Sequence, residues 1–166
     1  MPAHITDRHR VLVEAGMTAC FSADHLSFEL VLGPEEALIS FSRGTGKDRD
    51  GGMVGEQRVP ASVADDFIAS LNAVMVREEK EIGGRYTTQH FARIAEGEPG
   101  SAALLDITSN DMPREFLEDM VASSTEESDL VQRIRTALLQ DSFNRAYAMY
   151  MLAQRFAHQL GYPSSL

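Results

Sequence analysis

Residues 26–41 read Leu26-Ser27-Phe28-Glu29-Leu30-Val31-Leu32-Gly33-Pro34-Glu35-Glu36-Ala37-Leu38-Ile39-Ser40-Phe41, and they decide the fold. Leu26, Phe28, Leu30 and Leu32 alternate with Ser27, Glu29 and Val31, a period of two that sends one set of side chains into a core. Ala37, Ile39 and Phe41 repeat the alternation against Leu38 and Ser40. Between them Gly33-Pro34-Glu35-Glu36 is a turn, because proline's fixed φ suits the second turn position. Two alternating runs joined by so short a turn predict a β-hairpin.

Upstream, residues 1–9 are polar and are expected to be loosely ordered. Val11-Leu12-Val13, closed by Gly16, fits a strand or one helical turn, the turn being favoured, and 17–22 reads as a strand. Downstream, 44–55 holds five glycines in twelve residues, the composition of a mobile excursion at a sheet edge. Pro60-Ala61-Ser62 opens a helix, with Ser62 and Asp65 spaced as an approximate capping box. Its expected buried stripe is Val63, Phe67, Leu71 and Val74, and Gly83-Gly84 ends it. Residues 85–95 form a strand of mixed polarity, expected at an edge, and 102–108 another strand. The rest is helical: 113–122, then 126–160 behind the capping box Ser124-Thr125-Glu126-Glu127. Val131, Ile134, Leu138, Phe143, Tyr147, Tyr150, Gln154 and Ala157 lie near one face of the last helix. Unbroken, it would span about 50 Å, more than the width of one domain of this length. It therefore breaks near Ser142-Phe143-Asn144 or packs against something beyond its own domain, and Gly161-Tyr162-Pro163 stops it. Strands and helices separate instead of alternating strictly. The expected fold is one α+β domain over 1–166: a mainly antiparallel sheet of about five strands, helices on one face, and a long C-terminal helix.

Charge is distributed unevenly. From Asp106 to Asp129 there are eight acids and one base, Arg114, a net −7 of the chain's −10. Residues 130–166 reverse to +3. Only Lys47 and Lys80 occur. Acids near helix starts complement the helix dipole and account for part of this excess, but not for the scarcity of bases. Such a field repels nucleic acid and anionic lipid and attracts basic partners. Cys20 is alone, so no intramolecular disulfide forms, which suits a reducing compartment. The first ten residues have no apolar run of signal-peptide type, and no stretch has the length of a membrane span. A cytoplasmic protein is expected.

The motifs of common chemistries are missing. Gly44-Thr45-Gly46-Lys47 lacks the Walker pattern, with Phe41 and Asp48 at its required positions. Asp48-Arg49-Asp50-Gly51 is out of EF-hand register, with Gly46 and Gln57 where acids belong. The five histidines show no HxxxH pair, and a nucleophilic Cys20 would need His25 or His90 beside it in space, which spacing along the chain does not establish. No catalytic, cofactor or metal residue is therefore expected. The element order resembles, at the level of pattern, that of the small acidic chaperones that escort secreted bacterial effectors. The expectation is a non-enzymatic module that masks, neutralises or escorts a basic protein partner, as immunity proteins and secretion chaperones do. Its expected contact residues are Glu115, Glu118, Asp119, Glu126, Glu127 and Asp129, with Tyr147, Tyr150 and Met151 at a helix face that also suits a homodimer. The alternative is a small-ligand binder or enzyme whose scattered polar residues gather near His90, Arg85 and the loop from Gly44 to Gly55.

Overall fold

The computed structural model describes residues 5–6, 9–20, 22–45, 53–77, 85–98, 100–111, 118, 122 and 144–162. Its elements are β1 (Arg10–Thr18), β2 (Ala23–Leu32), β3 (Glu36–Thr45), β4 (Met53–Pro60), α1 (Ala61–Met75), β5 (Arg85–Glu96), β6 (Ala103–Asp111) and α2 (Arg145–Gln159). The strands form one antiparallel sheet in the order β4-β3-β2-β1-β5-β6. The fold is α+β, as the hairpin required. Phe28 stands opposite Phe41 and Leu30 opposite Ile39, so the two alternating runs share one buried face.

The sheet gains a strand because the glycine-rich stretch is shorter than its composition implied. β3 runs on to Thr45 and β4 begins at Met53, with 46–52 outside the described residues. β4 was hidden by its polarity: of its residues 54–60, Val59 alone is buried. β1 is the second correction. It is one strand through Gly16, not a helical turn followed by a second strand, and the chain reverses afterwards where Ala19 N–H donates to Ser22 O at 2.8 Å. Its central place between β2 and β5 explains the apolar run, since Val11, Val13 and Ala15 are buried and Leu12 on the other face is half-buried. Gly16 continues the strand because two neighbours crowd it. A β-carbon there would lie 2.1 Å from the Asp24 carbonyl oxygen and 2.6 Å from the Phe91 ring. β5, expected at an edge, is internal, and β6 is the edge. Ile5, within the expected loose start, is buried, its N–H donating to Asn72 Oδ1 at 2.7 Å and its carbonyl accepting from Asn72 Nδ2 at 3.2 Å.

α1 and α2 cover the same sheet face. α1 starts at Ala61, whose N–H is taken by Glu35 O at 2.8 Å, and Pro60 at the cap position has no side chain to accept a bond. The expected Ser62 cap is thus not used; Ser62 lies in the first turn. The buried stripe is Ala64, Phe67, Leu71 and Met75, with Val63 and Val74 as half-buried flanks. α2 begins where Asn144, in extended backbone, accepts the Tyr147 N–H on its Oδ1 at 3.0 Å. A continuous helix from 126 to 160 is therefore not formed: the side-chain cap breaks it at Asn144, while 126–143 lies outside the described residues. α2 ends in a Schellman motif. Gly161, at φ 90°, donates to His158 O, and Tyr162 donates to Ala157 O.

The helices run antiparallel, Arg145 reaching the Met75 carbonyl at one end while residues 66–70 of α1 flank 152–159 of α2 at the other. Phe67 and Phe156 stack across the pair with centroids 3.9 Å apart, and both rings meet Phe28 beneath them. Among the described residues no helix is long and apolar enough to cross a membrane.

Candidate functional site: a buried polar cluster beneath the C-terminal helix

The alternation that builds the hairpin does not end in apolar residues. On β2 the position before Leu26 on the buried face is Asp24, and on β3 the position after Phe41 is Arg43. Strand periodicity thus carries a carboxylate and a guanidinium under α2, diagonal to one another across the ladder. Asp24 is 4% exposed. Arg43 donates to both its oxygens, Nε to Oδ1 at 2.9 Å and Nη2 to Oδ2 at 2.8 Å, and Tyr150 Oη donates to Oδ2 at 2.7 Å. Burial and the adjacent Asp24 push the Tyr150 phenol above its ordinary range. Next to this triad lies His90 of β5, 3% exposed, with Tyr147 edge-on at 5.1 Å and Tyr150 at 5.7 Å between ring centroids. Its Nδ1 has no hydrogen-bond partner among the described residues, and burial pushes the imidazole down to a pKa of about 4. Thr88 and Ser109 are the other buried polar residues at this end of the sheet.

Chemically, the cluster is closed. Three donors occupy the Asp24 carboxylate, Arg43's charge is neutralised, and His90 is held neutral away from water. The bidentate Arg43–Asp24 pair ties β3 to β2, and the Tyr150 hydrogen bond ties α2 to that pair. It offers no base in reach of solvent. A shallow hollow of about 110 Å³ lies instead between the helices, lined by Asp66, Ser70, Leu152, Arg155 and Gln159 over the stacked Phe67 and Phe156. Ligand sites occupy about 300–1,000 Å³.

The other sheet face carries a second polar array. Glu14 stands between His25 at 3.4 Å and Arg93 at 3.6 Å, and Arg10 pairs with Glu29 at 2.8 Å. The neighbouring His25 chiefly holds the Glu14 carboxyl below its usual range, against the opposing effect of burial. Phe91 covers Gly16 and meets His25 edge-on at 5.3 Å. Signs alternate here, so this face presents little net charge.

Of the residues expected at a functional surface, Glu118, Tyr147, Tyr150 and Met151 are among the described residues. Glu118 is helical and exposed. Glu115, Asp119, Glu126, Glu127 and Asp129 lie outside the described residues. Met151 is exposed, Tyr147 is half-buried against His90, and Tyr150 is buried in the triad, where it cannot also touch a partner. Arg85 pairs in register with Asp111, on the strand that carries His90, and Gly44 is buried in β3. Asp24 and Arg43 were missed. Their signal was legible, as opposite charges continuing two buried alternations, but only the register shows that they meet. Among the described residues no three His, Cys, Asp or Glu side chains converge to hold a metal. Comparison with protein-family models, curated proteins and solved structures found no match to this chain.

Proposed function

We propose that this protein is an acidic, non-enzymatic binding module that masks, neutralises or escorts a basic protein partner, in the manner of immunity proteins and secretion chaperones. The observation that carries the reading is the net −7 between Asp106 and Asp129. This segment begins on the edge strand β6, where the Asp106 side chain is 70% exposed, and it includes the exposed Glu118. A charge excess this lopsided steers a basic partner toward it. The closed state of the Asp24–Arg43–Tyr150 cluster, with His90 beneath α2, weighs against the alternative of a reactive site there. The single Cys20 suits a reducing compartment, and we place the protein in the cytoplasm on that ground.

The test is capture on the tagged protein from its native cells at about 0.1 M salt, followed by elution toward about 1 M, where the screening length falls from about 10 to about 3 Å. A basic protein should be retained and released by salt. The triple variant Glu118→Lys, Asp119→Lys, Glu126→Lys should then slow association with that purified protein while circular dichroism shows the fold retained. An association rate unchanged by the reversal overturns the proposal.

A further inference from the structure

The sheet has two edges, and they differ. β6 carries Asp106 and Asp111 and no base, so pairing two copies along it gathers like charges. β4 carries Glu56 and Arg58 two residues apart on the face away from the helices, both exposed. Among the described residues β4 receives backbone ladder bonds from β3 alone. We infer that two copies of this chain associate through β4, antiparallel about a two-fold axis at Gln57, so that Glu56 of each meets Arg58 of the other and the sheets become continuous.

Two independent observations select that register. Directly opposite residues in an antiparallel pair share a face, so the axis of a self-pairing strand passes through a residue, not between two. Centring on Glu56 sets acid against acid and centring on Arg58 sets base against base; Gln57 alone sets each against its opposite. The backbone independently gives the same centre. The β3–β4 register passes from Phe41↔Gly55 to Ser42↔Met53, leaving Val54 as an extra, bulged residue. At the other end Pro60 has no N–H. The regular, donor-bearing stretch is therefore residues 55–59, whose midpoint is Gln57. The charges are available for re-pairing. Among the described residues Arg58 is held by Glu36 at 3.9 Å, with both side chains more than half exposed, and Glu56 by Ser40 at 3.4 Å. This contact differs from the helix-face dimer expected from Tyr147, Tyr150 and Met151, because Tyr150 is committed within its own chain. It is independent of the acidic reading above, which concerns the opposite edge.

Five paired residues make a small interface, so association should be weak and depend on concentration. Sedimentation equilibrium over about 1 µM to 1 mM, the Kd range of weak complexes, should show a monomer–dimer equilibrium. Glu56→Arg or Arg58→Glu alone places like charges opposite twice per dimer and should raise Kd about tenfold or more. The double swap restores both pairs and should return Kd to within about threefold of the original. Glu56→Gln, which removes charge without reversing it, should fall between and guards against a misfolded reversal variant; circular dichroism checks each. A monomer throughout the range, a dimer insensitive to either single reversal, or a double swap that fails to rescue while folded would each overturn the inference.

Discussion

At the scale of single residues the protein is decided by a few close approaches. Gly16 lets the Phe91 ring lie across β1. Gly16→Ala places a methyl 2.1 Å from a backbone oxygen, which cannot swing aside as a side chain can. It should destabilise the fold by about 1–3 kcal/mol, as overpacking does, and a denaturant midpoint unchanged from the parent would count against this packing. Asp24 is decisive in a different way. Asp24→Ala leaves Arg43 charged, buried and without its carboxylate, a change that costs about 3–5 kcal/mol in comparable buried pairs. Replacing Asp24 and Arg43 together by apolar residues should recover much of that loss, which equilibrium unfolding of both variants would show. His90 supplies the pH dependence. Its folded pKa is about 4 against 6.5 for a free imidazole. Between those values the unfolded chain binds a proton that the folded chain refuses, so stability rises with pH across the window and is lost as pH falls through it. The loss between pH 7 and pH 4 should be on the order of 3 kcal/mol. His90→Phe, which keeps a ring against Tyr147 and Tyr150, should flatten that part of the profile; superimposable profiles would assign the slope to other groups.

At the scale of elements, the helices are joined to the sheet and to each other by aromatic rings more than by ion pairs. Phe156 stacks on Phe67 and reaches Phe28, whose ring in turn stacks on Phe41 at 4.8 Å. Phe156→Ala should cost about 3–5 kcal/mol. Phe67→Ala combined with it should cost less than the two losses added, because neighbours that share a contact are not independent. Strict additivity in a double-mutant cycle would mean that the stacked pair contributes nothing of its own. The ends of α2 are set by local chemistry, Asn144 capping its start and Gly161 its stop. This is why its stop was readable in the sequence. Its start was readable only as an alternative, since one asparagine within a long apolar periodicity does not outweigh the periodicity until the backbone around it is known. β4 was unreadable for the opposite reason. An edge strand buries little, so Glu56, Gln57 and Arg58 leave almost no alternation to detect.

At the scale of the whole molecule, charge and topology act separately. The excess of seven negative charges from 106 to 129 loads one stretch of chain with like charge, and screening should relieve the resulting repulsion. Raising salt from about 0.01 to about 0.15 M shortens the screening length from about 30 to about 8 Å and should raise the melting temperature of the parent. The triple reversal at Glu118, Asp119 and Glu126 should show a smaller rise; equal salt responses would place the repulsion elsewhere. The β2–β3 hairpin, the α+β class, the stop of α2 and the charge asymmetry were determined by the sequence alone, because each is local: a period of two, a turn, a capping glycine, a count of ionised groups. What only the tertiary structure decided is long-range. The union of Asp24, Arg43 and Tyr150 joins residues 126 positions apart. The passage of β1 through Gly16 depends on a ring from β5, and the identity of the edges depends on which strand lies beside β1. Register and strand order are set by the total burial of all faces at once. No window of sequence contains that sum, so the residues it brings together show their pairing only in the folded chain.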